Sequence, residues 1–335
     1  MTAAFPDAHE RRRLRFAAIV PVGPDAIGLW RGIELIRSLL SWEPELGWCI
    51  VLDDAPRPRG LSELVGFPST CRATTLLTPP MSAGESWIGR LTGGIIAALA
   101  WLQSNADADF VLRIDADALV IGPFARAVST RLAATTDAGV IGTLGLSSHP
   151  AVRMRENHNV EPKLLKSARL LSESDRPPTE CCSSVLNVPG VGTFDANQRR
   201  AFEIIRPHIE RAVSRGYRSN EFCQGGVNVI SRLMVERLSE RGYLSSADAW
   251  AALPFADDRV MAMYARAVDV QLCDYSAPGE PFGVQARGLP YAPDELLERG
   301  HSLIHSVRND RRFDEMQIRD FFRHRAQSAV RRLSG

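Results

Sequence analysis

Phe110-Val111-Leu112-Arg113-Ile114-Asp115-Ala116-Asp117-Ala118-Leu119-Val120-Ile121-Gly122-Pro123-Phe124 is the stretch from which the rest of the chain can be placed. Its apolar and β-branched residues, stopped by Gly122-Pro123, predict a strand buried on both faces. Two carboxylates inside such a run are costly unless something compensates them. Spacing i, i+2 puts both on one face of an extended backbone, or lets a bend aim both at one ion. A hard, oxygen-preferring Mg²⁺ or Mn²⁺ is the natural compensator, and it brings substrate phosphates with it. The competing reading is an Asp that only caps a turn at the strand end, so the remaining elements must decide.

A chain of 335 residues can bury one large α/β core or two modest ones. Hydrophobic content of 45% and charged content of 24% place it among ordinary soluble domains. A net charge of +1 gives no field that would draw nucleic acid. The longest apolar stretch, near Gly94–Leu102, falls far short of the ~20 residues that span a bilayer. The N-terminal basic cluster comes too late, and the apolar run broken by Pro21 is too short, for a signal peptide. The six cysteines form no CxxC pairing, and Cys181-Cys182 reads as buried or idle thiols. The expectation is a soluble cytoplasmic protein; the sequence sets no oligomeric state.

After a polar arm at 1–13, Leu14–Val20 reads as a strand ending at Pro21, and a helix follows with Leu29, Ile33, Ile36 and Leu40 at helical spacing. Trp48–Leu52 is a second strand running into Asp53-Asp54. Strand, helix, strand and then polar residues at the strand's carboxyl end open a parallel, doubly wound sheet, where ligands bind outside those ends. Asp53 and Asp54 therefore either contact a base or ribose, or cap the turn. A helix within Gly84–Ser104 contains Gly93-Gly94, which suggests close approach of a backbone or ligand. Arg90, one turn earlier, could reach a diphosphate or stand exposed. Ala125–Thr135 reads as a helix and Gly139–Leu144 as a short strand, but from Ser147 to Val188 the pattern fades into an insertion or lid.

Asp195 caps a helix through Arg211. The stretch Gln224-Gly225-Gly226-Val227-Asn228-Val229-Ile230-Ser231 then lets a backbone lie against a ligand, with Ser231 capping the next helix and Asn228 free to meet a sugar hydroxyl or the local backbone. Asp257-Asp258 opens an apolar-periodic helix, with Asp257 the natural N-cap. A carboxylate there, facing a cleft, is well placed as a general base. His301 and His305 share a face if their segment is extended, and an imidazole beside two carboxylates suits Mn²⁺. Asp314–Leu333 is an amphipathic helix with Phe321, Phe322 and Val330 on one side and arginines on the other, fit to dock on the domain or to touch an acidic membrane surface peripherally.

Four elements in this order give the chain its resemblance to GT-A fold glycosyltransferases: Asp115-Ala116-Asp117, Gly225-Gly226-Val227-Asn228, Asp257-Asp258 opening a helix, and His305 in HSLIHSVR. Pro21-Val22 and Asp53-Asp54 look like that family's nucleotide pocket, and the similarity spans about Leu14 to Arg308. The resemblance implies a single Rossmann-like α/β domain with a mostly parallel sheet flanked by helices. It divides the chain into a nucleotide-sugar half (14–146), the insertion (147–190), an acceptor half (191–310) and a basic C-terminal helix (311–335). It implies that Asp115 lies near ribose and metal, that Asp117 ligates the metal directly, and that His305 is the remaining ligand with His301 the fallback. Pro21, Val22, Asp53, Asp54, Arg90, Ala116, Gly225, Gly226, Asn228 and Asp257 would contact the donor or acceptor.

The implied reaction moves a sugar, hexosyltransferase-like, from a nucleoside diphosphate sugar to a glycan, lipid-linked or small-molecule hydroxyl, with Mn²⁺ or Mg²⁺. UDP is favoured, because an Asp after the second strand suits the imide N–H of uracil. Asp258 matches the base of inverting members, although the family's usual Glu-Asp is here Asp-Asp. A retaining transferase would keep the metal site and leave Asp258 as a cap. A scaffold on the same fold would bind no metal–nucleotide pair. A nucleotidyltransferase would want a basic, Gly-rich loop after the first strand, where this chain has Pro21-Val22-Gly23-Pro24-Asp25.

Overall fold

A computed structural model of the chain describes residues 14–77, 86–144, 194–217, 222–308 and 310–333. The arm at 1–13, the insertion at 147–190 and Cys181-Cys182 lie outside the described residues. The first strand, β1 (Phe16–Val22), runs through Pro21 instead of stopping before it. Proline lacks the N–H that a central strand uses. Here β1 pairs with β2 (Leu46–Asp53) over its whole length, but with β4 (Phe110–Ile114) only from Phe16 to Ile19. Beyond Ile19 one side of β1 needs no donor, so the proline is tolerated.

Seven strands form the main sheet in the order β3 (Arg72–Leu77), β2, β1, β4, β7 (Cys223–Ser231), β6 (Ala138–Leu144), β8 (Gln271–Asp274). The strands β3, β2, β1 and β4 run parallel, β7 runs against both β4 and β6, and β8 is parallel to β6. The sheet is thus mostly parallel and flanked by helices, the α/β class that the opening strand–helix–strand pattern predicts. Strand order reverses beside β1, which makes the crevice at the carboxyl ends of β1 and β4 a topological switch point. Because β7 is antiparallel to β4, its first residues, including Gly225 and Gly226, arrive at that same end.

Alternation along the strands divides the interior into two cores. Phe110, Leu112 and Ile114 of β4 pack with α1 (Ala26–Trp42), α2 (Leu61–Val65) and α4 (Ala125–Ala134). Val111 faces the other side, with α3 (Trp87–Asn105), α5 (Ala196–Ser214), α6 (Arg232–Glu240), α7 (Ala247–Ala251) and α8 (Asp257–Ala267). In α1 the fully buried stripe is Gly28, Gly32, Leu35, Ile36 and Leu39, rotated from the expected one. A Cβ at Gly32 would lie 2.8 Å from Val22 Cγ2, so the glycine edge is drawn against β1. In α3 a Cβ at Gly89 would collide with the Leu253 carbonyl, and one at Gly93 would lie 2.6 Å from the Ala247 oxygen. The close approach expected at Gly93 is therefore to protein backbone. Asp195 caps α5 in a full capping box, and Ser231 caps α6 through Met234 N at 3.1 Å, both as the sequence predicts.

The stretch 110–124 is two strands. β4 ends at Ile114, and Ala118 N donates to Asp115 O at 2.9 Å, closing a turn over the Asp-Ala-Asp triplet. The chain then enters a second sheet, ordered β5 (Leu119–Val120), β10 (Leu303–His305), β9 (Phe282–Val284). Of the two geometries open to the triplet, the bend is realised: a continuous buried strand would leave two carboxylates without an outlet. A third core beneath this sheet takes Leu119, Ile121 and Ile304, α9 (Pro293–Glu298) through Leu296, and α10 (Glu315–Leu333) through Ile318 and Phe322. The C-terminal helix is therefore docked on its Phe322 side; the side chain of Val330 lies outside the description. Among the described residues no helix is long and apolar enough to cross a membrane.

Candidate metal and nucleotide site

The turn after β4 and the end of β10 meet because β5 and β10 are hydrogen-bonded neighbours. Val307 N donates to Asp117 O at 2.9 Å, and Ser306 Oγ donates to Asp117 Oδ2 at 2.7 Å. His305 Nε2 then lies 3.2 Å from Asp117 Oδ1 and 4.0 Å from Asp115 Oδ2. One ligand atom from each of Asp115, Asp117 and His305 falls within 4.8 Å of the other two. His305 Nδ1 sits 2.9 Å from the Gln285 carbonyl, which can only accept, so Nδ1 carries a proton; Nε2 donates to Asp117 when the ring is protonated and offers its lone pair to an ion when it is neutral. Two carboxylate oxygens and one imidazole nitrogen are a donor set that Mn²⁺ or Mg²⁺ accepts, so the residues fit the expected ion.

The charges in this cluster are polarised. Burial pushes the Asp115 carboxyl upward against the pull of Arg113, and the neighbouring Asp117 adds to the rise. Burial also opposes ionisation of Asp117, but His305, Ser306 and Arg308 outweigh it and hold that carboxyl below the usual range. Arg308 Nε is 2.8 Å from Asp117 Oδ2. Behind the turn, Arg319 of α10 donates to Ala116 O at 3.3 Å, so the docked C-terminal helix braces the triplet's backbone.

The histidine needs the glycine loop. Gly226 has φ +101°, and a Cβ there would collide with the His305 ring. Its carbonyl accepts from Asp115 N at 2.7 Å. Gly226 thus makes room for the His305 ring, and it also lines the cavity described below. Its neighbour Gly225 faces Asp258, whose Oδ2 is 3.7 Å from the place a Cβ would take. Asp258, half-buried in the first turn of α8, accepts from Arg259 N at 2.7 Å through Oδ1. Burial first, and then the charge of Asp257, push its carboxyl up to about 6. Asp257 is not the N-cap: α8 begins at Asp257 itself, Ala256 occupies the cap position, and no side chain caps the helix. Instead Asp257 Oδ2 lies 2.9 Å from Arg113 Nη2.

These groups line one cavity of about 570 Å³, a size suited to a small-molecule ligand. Pro21, Val22, Asp54, Arg90 and Ala116 line it as expected, together with Arg31, Trp87 and Arg308, which the sequence reading passed over. Asp53, Asn228 and His301 do not line it, and Arg90 lines it already paired. Asp53 is fully buried away from the cavity, with Oδ1 taking Arg59 Nη2 at 2.5 Å and Ala55 N at 3.1 Å. Adjacent side chains at a strand end point to opposite faces, and only Asp54 points in. Arg90 Nη2 reaches Asp54 Oδ1 at 2.6 Å, so this arginine is paired with protein rather than poised alone for a diphosphate. Asn228 is 1% exposed and faces Arg113 across the β4–β7 pairing, under the sheet. His301 lies outside the three-residue ligand cluster; its Nδ1 is 2.8 Å from Glu280 O and its ring stacks on Tyr291. Arg113 itself was legible only as a charge in an apolar strand, and nothing local names its partners.

No family model and no curated protein matches the chain. Among solved structures it is similar to the apo form of the bifunctional glycosyltransferase WbbM, at 12% identity and a TM-score of 0.48, over 93% of this chain and 50% of that one. The chain therefore spans about half the length of that protein. It is also similar to core-mannan synthase A (CmsA/Ktr4) from Aspergillus fumigatus in its Mn/GDP form, at 11% identity and TM-score 0.37, over 80% of this chain and 74% of that one. A third similarity, to residues 1–349 of TarS from S. aureus, has 18% identity and TM-score 0.29 over 39% and 35% of the two chains.

Proposed function

We propose that this chain is a metal-dependent glycosyltransferase that moves a sugar from a nucleoside diphosphate sugar, UDP-linked by preference, to an acceptor hydroxyl with inversion. One observation carries the reading: Asp115, Asp117 and His305 converge at the switch point of a doubly wound sheet, in the same cavity as the isolated, half-buried Asp258. Asp115, Asp117 and His305 would hold Mn²⁺ or Mg²⁺, which neutralises the charge of a departing diphosphate. Arg308, beside Asp117, adds positive charge on the same wall. Asp54, held by Arg90, would meet the imide N–H of uracil.

Asp258 takes the proton of the acceptor hydroxyl as that oxygen forms its bond to the anomeric carbon. The bond from that carbon to the diphosphate breaks, and the diphosphate leaves with the electron pair. A carboxyl raised to about 6 is ionised at neutral pH and still basic enough to take the proton. Gly225, without a side chain, leaves the acceptor room beside Asp258 Oδ2. The acceptor is a glycan, a lipid-linked sugar or a small molecule.

The test is a binding screen of UDP, GDP, dTDP and CMP by calorimetry, with and without Mn²⁺. Binding of one nucleoside diphosphate that disappears with chelator is the expected result. No binding of any of the four with Mn²⁺ present would overturn the reading and leave a scaffold on a transferase-like fold.

A further inference from the structure

Arg113 is among the largest fully buried side chains of the protein, at 1% exposure in the middle of the central sheet. A guanidinium in such a place is strongly unfavourable unless it is paired. Its neighbours on the same face, Val111 one step back along β4 and Ile230 on β7, are apolar core residues. The fold alone would be served by another apolar side chain.

The pairing of Arg113 is specific. Its Nη2 lies 3.0 Å from Asp115 Oδ1 and 2.9 Å from Asp257 Oδ2. One nitrogen thus joins the two halves of the cavity: Asp115 belongs to the ligand cluster, and Asp257 immediately precedes Asp258 at the start of α8. Among the described residues, Arg113 Nε and Nη1, Asn228 Oδ1 and Asp257 Oδ2 have no hydrogen-bond partner, so Arg113 and Asp257 meet as an ion pair. Asn228 is directly opposite Arg113 in the β4–β7 register, so both side chains leave the same face of the sheet. Buried polar groups left unsatisfied are unfavourable. Carrying that cost where an apolar residue would pack marks a site selected for something other than stability.

We infer that Arg113 is a positioning residue: by bridging Asp115 and Asp257 it fixes the first turn of α8 against the ligand cluster, and so sets where Asp258 stands relative to the donor's anomeric carbon. The inference rests on the transferase reading above. Arg113 does not move a proton; it holds two groups in one frame. A misplacement of about 1 Å at a reacting group lowers a rate by about 10²-fold while leaving substrate binding little changed. Asp257, on this account, acts through Arg113 and has no separate task.

The test uses the full chain in three variants, Arg113→Gln, Asp257→Asn and the pair combined, with Arg113→Lys as the conservative control. Release of UDP from UDP-glucose, UDP-galactose and UDP-N-acetylglucosamine is followed with Mn²⁺, alongside calorimetry of UDP with Mn²⁺. The expected result is a kcat lower by about 10²-fold in each single variant, with KM within about threefold of the wild type. The double variant should lose no more than either single one, because both break the same bridge. Arg113→Lys should recover part of the rate, and it carries the test with Asp257→Asn if Arg113→Gln does not fold. Multiplicative losses, or a change in KM alone, would overturn the positioning role. A wild type that binds UDP and turns over a donor, with variants equally active, overturns this inference only. A wild type that binds none of the four nucleotides with Mn²⁺ overturns the transferase reading along with it.

Discussion

Asp115-Ala116-Asp117 and Asp257-Asp258 are two acid pairs facing one cavity, and their surroundings differ. Each contains one acid fixed by partners: Asp117 by Ser306, His305 and Arg308, Asp257 by Arg113. Each also contains one carboxyl that burial raises, Asp115 and Asp258. What differs is the opposite wall. Asp115 has Asp117 and His305 converging on it, three donors around one point. Asp258 has Gly225 across from it and no second side-chain ligand among the described residues. Convergence suits an ion, and isolation beside a glycine suits a proton transfer from a substrate hydroxyl.

The comparison breaks first at the ligand cluster. Asp117→Asn is expected to abolish Mn²⁺-dependent nucleotide binding and to lower turnover on the order of 10⁴-fold, because a bound metal contributes several kcal/mol of charge stabilisation. Calorimetry with and without chelator reads this directly, and unchanged binding would remove the cluster from the mechanism. Asp258→Asn should leave that binding intact and lower turnover on the order of 10³-fold, as loss of a positioned base does. The pH profile sharpens the contrast. Asp258 accepts a proton only when ionised, so with a carboxyl at about 6, kcat/KM should be flat above pH 6 and fall about tenfold per unit below it. In Asp258→Asn that break should vanish. A wild-type profile without it, together with an active Asp258→Asn, would favour a retaining transferase in which Asp258 is structural.

The two pairs also mark how far sequence reading reaches. The acids, the glycines and His305 were visible because each is an odd residue in a regular pattern, and the opening strand–helix–strand pattern implied the parallel sheet. The second sheet was not visible, since β5, β9 and β10 are two or three residues long and carry no period. That sheet brings His305 to Asp117, so the ligand cluster was reached by resemblance rather than by pattern. Arg113 was out of reach for a related reason: its partners include Asp257, and no local rule couples a strand residue to a distant helix start. Asn228 was misread because its neighbour Gly226 suggested a ligand, whereas the cross-strand register puts it under the sheet.

Gly226→Ala tests the dependence of the first pair on the loop beside the second. Its φ of +101° is strained for any side chain, and the added Cβ would meet the His305 ring. Backbone strain of this kind costs about 1–3 kcal/mol. Displacing a metal ligand should cost a further 10–100-fold in Mn²⁺ affinity, by analogy with loss of outer-shell support. Thermal unfolding should therefore drop without metal and drop further with it. Equal drops in the two conditions would mean that His305 is not a ligand.

The smallest effect separates the third acid pair, Asp53-Asp54, into a structural and a binding member. Asp53 Oδ1 anchors Arg59 and the backbone after β2, and its side chain is fully buried. Asp53→Asn should lower stability by about 1–3 kcal/mol, the worth of a charged hydrogen bond, with nucleotide affinity unchanged. Asp54→Asn should do the reverse, leaving the fold intact and weakening UDP by about tenfold, since Asp54 lines the cavity and pairs with Arg90. The two substitutions alter neighbouring residues by the same single group, so any difference between them comes from which way the strand end points. If Asp53→Asn weakens nucleotide binding as much as Asp54→Asn does, the base pocket extends beneath β2 and the division between these acids fails.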